Sequence, residues 1–305
     1  MIQTVTGSID AQEAGIILMH EHIMVGFVED GKLSPSDYEA DDVVGSVLPY
    51  LVKLKEAGGS VLFDCSPEYL GRDPYILKQL SELSGVRLVT NTGLYKLPYL
   101  PPFVQEASAE ELAANWIREA REGIRNSGVL PGFIKIALND GKVIDSTQLK
   151  ILHAALRTSL ETGLTIQCHT IGGDIALHAK SVMEQEGFNL ERFVWIHAQT
   201  CDDLSIQQRI VDAGMWISID SIQPDNYEKS ANLLNRLIDL GCGHRILLAQ
   251  DSGWYNVGQE HGGVIRPYHP LLTDFIPYAV SQGLEEGWLR QCLTRHAFDA
   301  MSVRI

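Results

Sequence analysis

Short β-rich runs of apolar residues recur along the chain, each followed by a longer stretch with helical spacing. Eight such runs fall at 15–23, 60–67, 86–95, 132–138, 164–170, 193–199, 215–220 and 245–251. Between the first two, Val43, Val44, Val47, Leu48, Leu51 and Leu54 form one apolar stripe, which Asp41-Asp42 opens and Gly58-Gly59 ends. Asp73 ahead of Pro74 reads as an N-cap with proline at the first helical position. Ser108 and Glu111 form a capping box for a helix to about residue 125. Further helices are expected over 146–162, 173–186, 202–213 and 226–240, with two more in the tail over 270–282 and 284–301. Eight strands alternating with helices predict an α/β fold, a (β/α)8 TIM barrel that uses residues 1–305 as one domain. A doubly wound sheet is the runner-up, but the Gly-rich phosphate loop that should follow its first strand is missing.

Composition narrows the partners. The net charge of -15 argues against nucleic acid and anionic membranes, and leaves a small-molecule substrate as the expected partner. No basic region followed by an apolar run opens the chain, so no signal peptide is expected, and no stretch is apolar enough to span a bilayer. The cysteines, Cys65, Cys168, Cys201, Cys242 and Cys292, are odd in number and scattered. That fits free thiols in a reducing cytoplasm better than a disulfide framework.

The candidate chemistry lies where the runs end. In the first, His20 and His22 are two positions apart, so a strand aims both imidazoles to one side. Lys135 lies in the fourth, and alternation places it with Phe133 and Ala137 on the inner side, opposite Ile134 and Ile136. His169 ends the fifth run, His197 is near the end of the sixth, and Asp251 ends the eighth. Taken singly, each histidine also reads as a satisfied core residue, Asp251 as a helix N-cap, and Lys135 as a buried lysine paired with Asp64 or Asp220. Catalytic groups of a parallel barrel gather at the C-terminal ends of its strands. Four histidines, an aspartate and a lysine there are enough to hold two metal ions. An inward ammonium beside metal-binding histidines is costly unless its charge changes. Carbamylation by carbon dioxide would turn Lys135 into a carboxylate able to bridge two cations.

The ordered set resembles the phosphotriesterase-like branch of the amidohydrolase superfamily, from Thr4 to about Met301. The resemblance rests on Met19-His20-Glu21-His22-Ile23, Gly71-Arg72-Asp73, Asn91-Thr92-Gly93-Leu94-Tyr95 and Gly132-Phe133-Ile134-Lys135-Ile136. It continues through Cys168-His169-Thr170, Ile196-His197-Ala198 and Gln250-Asp251-Ser252. It implies His20, His22 and Asp251 as ligands of a more buried metal, His169 and His197 as ligands of a more exposed one, and carbamylated Lys135 between them. The ions would be divalent, zinc first, with cobalt, manganese or iron also compatible with the donor set. A bridging hydroxide would attack the substrate, Asp251 would carry its proton, and the family often assembles as homodimers.

Substrate expectations are finer. Tyr95 matches a tyrosine of the lactonase members, whose phenol reaches toward the metals, where classical organophosphate-degrading members have tryptophan. The loop after the last run carries Trp254 and Tyr255, which would cover a small organic substrate. Asp220 is followed by Ser221, where lactonases for long acyl-homoserine lactones commonly have arginine. Glu68, Tyr69 and Lys96 would sit near the rim and could read a polar lactone such as a sugar lactone. A lactonase with side activity on phosphotriesters is the leading expectation. A true phosphotriesterase, an amidase or deaminase, and a metal-loaded binding protein are the alternatives.

Overall fold

A computed structural model describes residues 1–304 of the chain. Eight parallel strands form its centre. They are β1 (Ile16–Val25), β2 (Gly59–Asp64), β3 (Arg87–Val89, resuming at Asn91–Thr92) and β4 (Phe133–Ala137). They continue as β5 (Ile166–His169), β6 (Phe193–Ile196), β7 (Trp216–Ile219) and β8 (Ile246–Leu248). Each pairs in parallel with the next. The ring closes where the chain leaving β8 meets β1: Asp251 N–H donates to the His20 carbonyl at 3.2 Å, and His22 N–H to that of Ser252 at 2.8 Å. The architecture is a (β/α)8 barrel, as the alternation predicts.

Helices wrap the outside, among them α1 (Ala40–Glu56), α2 (Pro74–Ser84), α3 (Ala109–Glu122) and α4 (Ser146–Thr162). The α1 stripe is buried except at Leu48, which is partly buried against the same core. The caps read from sequence at Asp73 and Ser108 are present. Asp42 is different: α1 is entered from Glu39, and the Asp42 carboxylate instead accepts from the Tyr255 hydroxyl at 2.6 Å and pairs with His261 at 2.6 Å.

The strands separate two apolar regions. Phe63, Phe133, Val194, Ile196 and Leu247 fill the barrel, whereas Ile134, Ile136 and Ile166 pack outward under the helices. Lys135 lies between those isoleucines and so points inward, at 2% exposure. A hairpin of Ile2–Thr4 with Gly7–Ile9 and a short helix, Ala11–Ala14, close the N-terminal end of the barrel with Ile2, Ile9 and Ala14. Neither was expected from the sequence.

Several boundaries differ from expectation. β1 runs on to Val25 because an added strand, β9 (Gly253–Asn256), pairs parallel with His22–Val25. β3 breaks at Thr90, and β8 stops three residues short of Asp251. The last tail segment is two helices, Glu286–Leu293 and Arg295–Met301, separated at Thr294, whose backbone is non-helical.

One ion pair, made by a fully buried arginine with a partly buried glutamate, ties the site face to the helical layer. Arg72, in the loop after β2, donates both terminal nitrogens to the Glu119 carboxylate at 2.7 Å and one to the Asn91 carbonyl at 2.9 Å. Thr92 donates to the same carboxylate at 2.7 Å. Removing the cation strands that carboxylate among buried groups. Arg72→Met should therefore cost about 3–5 kcal/mol of unfolding free energy, read from urea unfolding. An unchanged midpoint would contradict this account.

Candidate metal centre

β1 delivers His20 and His22 to one side of the strand, both buried. The loop after β8 brings Asp251 against them, with Oδ1 3.2 Å from His22 Nε2 and 3.8 Å from His20 Nε2. β5 ends on His169. His197 follows β6 and adopts a left-handed backbone, φ 68°. The rings of His20 and His197 are 5.4 Å apart, those of His20 and His22 5.7 Å, and those of His169 and His197 4.6 Å. Donor atoms of His20, His197 and Asp251 all lie within 4.8 Å of one another. The structure thus gathers all the strand-end histidines and Asp251 at one end of the barrel.

Each imidazole is held by its other nitrogen. His20 Nδ1 meets Gln167 Oε1 at 3.1 Å and His22 Nδ1 meets the Ser66 hydroxyl at 2.9 Å. His197 Nδ1 meets Asp220 Oδ1 at 2.6 Å, and His169 Nδ1 meets the Tyr95 hydroxyl at 3.3 Å. Such contacts fix the ring and leave Nε2 for a ligand. His169 Nε2 is buried and makes no hydrogen bond, and Asp251 Oδ1 meets only the Nε2 atoms of His22 and His20. Unpartnered buried polar atoms are uncommon. A divalent cation accepts electron pairs from nitrogen and oxygen donors of this kind, so the residues present fit a metal site.

Electrostatics point the same way. Burial, and then the Lys135 charge, hold His20 well below the ordinary histidine range. Burial does the same for His169, helped by His197 and Lys135. Both are neutral at neutral pH, the form that ligates metal. Burial opposes charge on His197 too, but the Asp220 carboxylate outweighs it and lifts that imidazole above its usual range. Lys135 Nζ makes no ion pair or hydrogen bond among the described residues. The two acids offered as its partners are engaged elsewhere: Asp64 accepts from Ile23 N–H at 2.9 Å, and Asp220 holds His197.

The substrate-side expectations divide. Tyr95 reaches the site through His169, and Trp254 lies against the His22 ring at 5.1 Å. Tyr255 does not reach it. In β9 neighbouring residues face opposite ways, so with Trp254 turned to the site Tyr255 packs into the outer core at 4% exposure, its hydroxyl on Asp42. Glu68 and Tyr69 line a separate cavity of about 400 Å3, and Glu68 pairs with Arg72 and Arg125. Lys96 pairs with Asp140 at 2.8 Å beside Tyr95.

Sequence reasoning missed Gln167, Ser66, Phe27 and Tyr99. Gln167 carried a signal: it is a polar residue between Ile166 and Cys168 in the interior of a strand. Phe27 stacks between Trp254 at 5.6 Å and Tyr99 at 5.1 Å, and Tyr95 lies 6.2 Å from Tyr99. Together these rings form an aromatic wall from His22 to His169.

The model of the phosphotriesterase family matches residues 1–297. The chain belongs to that family. Among curated relatives of this phosphotriesterase-family protein, the phosphotriesterase homology protein of Escherichia coli is 26% identical over 277 residues, 90% of this chain and 93% of that protein. The phospho-furanose lactonase of Mycoplasmopsis synoviae is 25% identical, covering 82% of this chain and 76% of its own. Among solved structures, a substituted form of the Deinococcus radiodurans PTE-like lactonase superposes with a TM-score of 0.86 at 24% identity, over 99% of this chain and 100% of that one. The family is one of binuclear metal enzymes. No described helix is long and apolar enough to cross a membrane.

Metal should be part of the fold's stability. After chelation, zinc returned at 100 times its dissociation constant should raise the unfolding free energy by about 2.7 kcal/mol. Thermal unfolding with and without zinc reads this, and identical melting curves would contradict it.

Proposed function

We propose that the protein is a metal-dependent hydrolase whose own substrates are lactones or closely related carboxylic esters, with phosphotriesters as slower side substrates. One observation carries the site reading. Four imidazoles are each held at Nδ1; Nε2 of His20 and His22 lies 3.8 and 3.2 Å from Asp251 Oδ1, donor atoms of His20, His197 and Asp251 fall within 4.8 Å of one another, and the His169 ring packs on His197 with its Nε2 unpartnered. His20, His22 and Asp251 would hold the more buried ion, and His169 and His197 the more exposed one. Lys135, inward and without a counter-charge, would join them as its carbamate. When bound, the two ions supply Lewis-acid polarisation of the substrate oxygen and an activated water at neutral pH. Zinc suits the mixed nitrogen and oxygen donors, as cobalt, manganese or iron also would.

The chain's own groups supply the rest. Asp251 is 16% exposed at its side chain, so a carboxylate oxygen can reach a water from the open end and pass its proton to the leaving oxygen. Tyr95 turns its hydroxyl toward His169, where it can donate to a substrate carbonyl, and burial keeps the phenol protonated. Trp254, Phe27 and Tyr99 would receive the apolar body of the substrate. Tyr95 supports a lactone over a phosphotriester, because that position separates lactonase members from the organophosphate-degrading ones they resemble. Ser221 places no cation beside Asp220: its hydroxyl donates to the Asp220 carboxylate at 3.3 Å. That favours small lactones over long acyl-homoserine lactones. The phospho-furanose lactonase relative adds weight to a lactone. The five cysteines are free and buried, which supports a cytoplasmic location. A homodimer rests on the family resemblance alone.

The zinc-loaded enzyme should be assayed on γ- and δ-lactones, sugar lactones, acyl-homoserine lactones, paraoxon and an amide. Small lactones are expected to lead, and Asp251→Asn should lower kcat by about 100- to 10,000-fold. Paraoxon or the amide ahead of every lactone would overturn the substrate reading.

A further inference from the structure

Glu21 stands between the two histidines, fully buried, and faces away from them. Its carboxylate spans the chain on either side of Asp251. Oε1 accepts the Gln250 N–H at 3.0 Å, and Oε2 accepts the Ser252 N–H at 2.6 Å. The Asp251 N–H between them goes to the His20 carbonyl. Three consecutive peptide donors are therefore drawn toward β1. The Asp251 carbonyl turns the other way and accepts from the Arg266 guanidinium and from Trp254 Nε1, the latter at 2.9 Å. Asp251 itself is held at φ 53°, a left-handed conformation that favours glycine and costs about 1–3 kcal/mol in other residues.

We propose that Glu21 is the positioning residue for Asp251, with Arg266 as its counterpart on the opposite side of the peptide. Two backbone N–H bonds accepted by one carboxyl group offset the strained backbone and set where the Asp251 side chain enters the site. Only a carboxylate offers acceptors to both amides. A glutamine of the same shape offers one acceptor and presents an N–H to the other donor. The inference rests on the reading of Asp251 as a metal ligand and proton carrier.

A double-mutant cycle tests it. Glu21→Gln, Asp251→Asn and the double variant are compared for zinc affinity by chelator competition and for kcat on an alkyl lactone and an aryl ester. Thermal unfolding of the metal-free proteins controls for the fold. Glu21→Gln should weaken zinc binding about 10-fold in the native background, and by less than about 2-fold once Asp251 is asparagine. Its kcat should fall more on the alkyl lactone, whose leaving oxygen needs the proton, than on the aryl ester. Equal losses in both backgrounds, or zinc affinity unchanged by Glu21→Gln, would overturn the proposal. Should Glu21→Gln fail to fold, Arg266→Met carries the same cycle with the same expectations. Normal zinc binding without lactone turnover would sink the substrate reading and leave the affinity cycle fully readable.

Discussion

Four imidazoles can share one buried space and serve a common ligand only if each ring is held from rotating. The structure meets that condition through the Nδ1 side of each ring. Gln167, Ser66, Asp220 and Tyr95 each take that nitrogen and leave Nε2 for a ligand. Gln167 lies within β5 and Asp220 directly follows β7, so the barrel's register sets the orientations of the His20 and His197 rings; Ser66 and Tyr95 come from the loops after β2 and β3.

Strain collects at the same end of the barrel. His197, Ser221, Asp251 and Trp254 all hold left-handed backbones just past the ends of strands or in β9. Such conformations persist where surrounding structure over-determines them. Here the surroundings are hydrogen bonds from neighbouring strands: Asp220 on the His197 amide, Glu21 on both sides of Asp251, and β1 against β9. Gly253 permits the closest approach, because a Cβ there would collide with the His22 carbonyl and the Tyr268 ring.

The barrel and the convergence of its histidines were legible because both follow from periodicity. Phe133, Ile134, Lys135 and Ile136 alternate as a strand must, and the structure sorts them into inner and outer faces accordingly. What stayed hidden depends on contacts between distant residues. No local pattern says that Gln167 meets His20 across 147 positions, or that Asp42 receives Tyr255 rather than capping its own helix. The N-terminal hairpin has strands of three residues, too short for a periodic signal. Tyr255 was placed at the site because residues 252–258 read as a loop. As a strand, the segment cannot turn two adjacent aromatics to one face.

The central claim is that this chain builds a two-metal centre around Lys135. Diffraction data collected above the zinc absorption edge, on crystals grown with zinc and bicarbonate, test it most directly. The account predicts two anomalous peaks about 4 Å apart, one against His20, His22 and Asp251 and the other against His169 and His197, with added density continuing from Lys135 Nζ toward both. A single peak, no peak, or two peaks beside an unmodified Lys135 would contradict it.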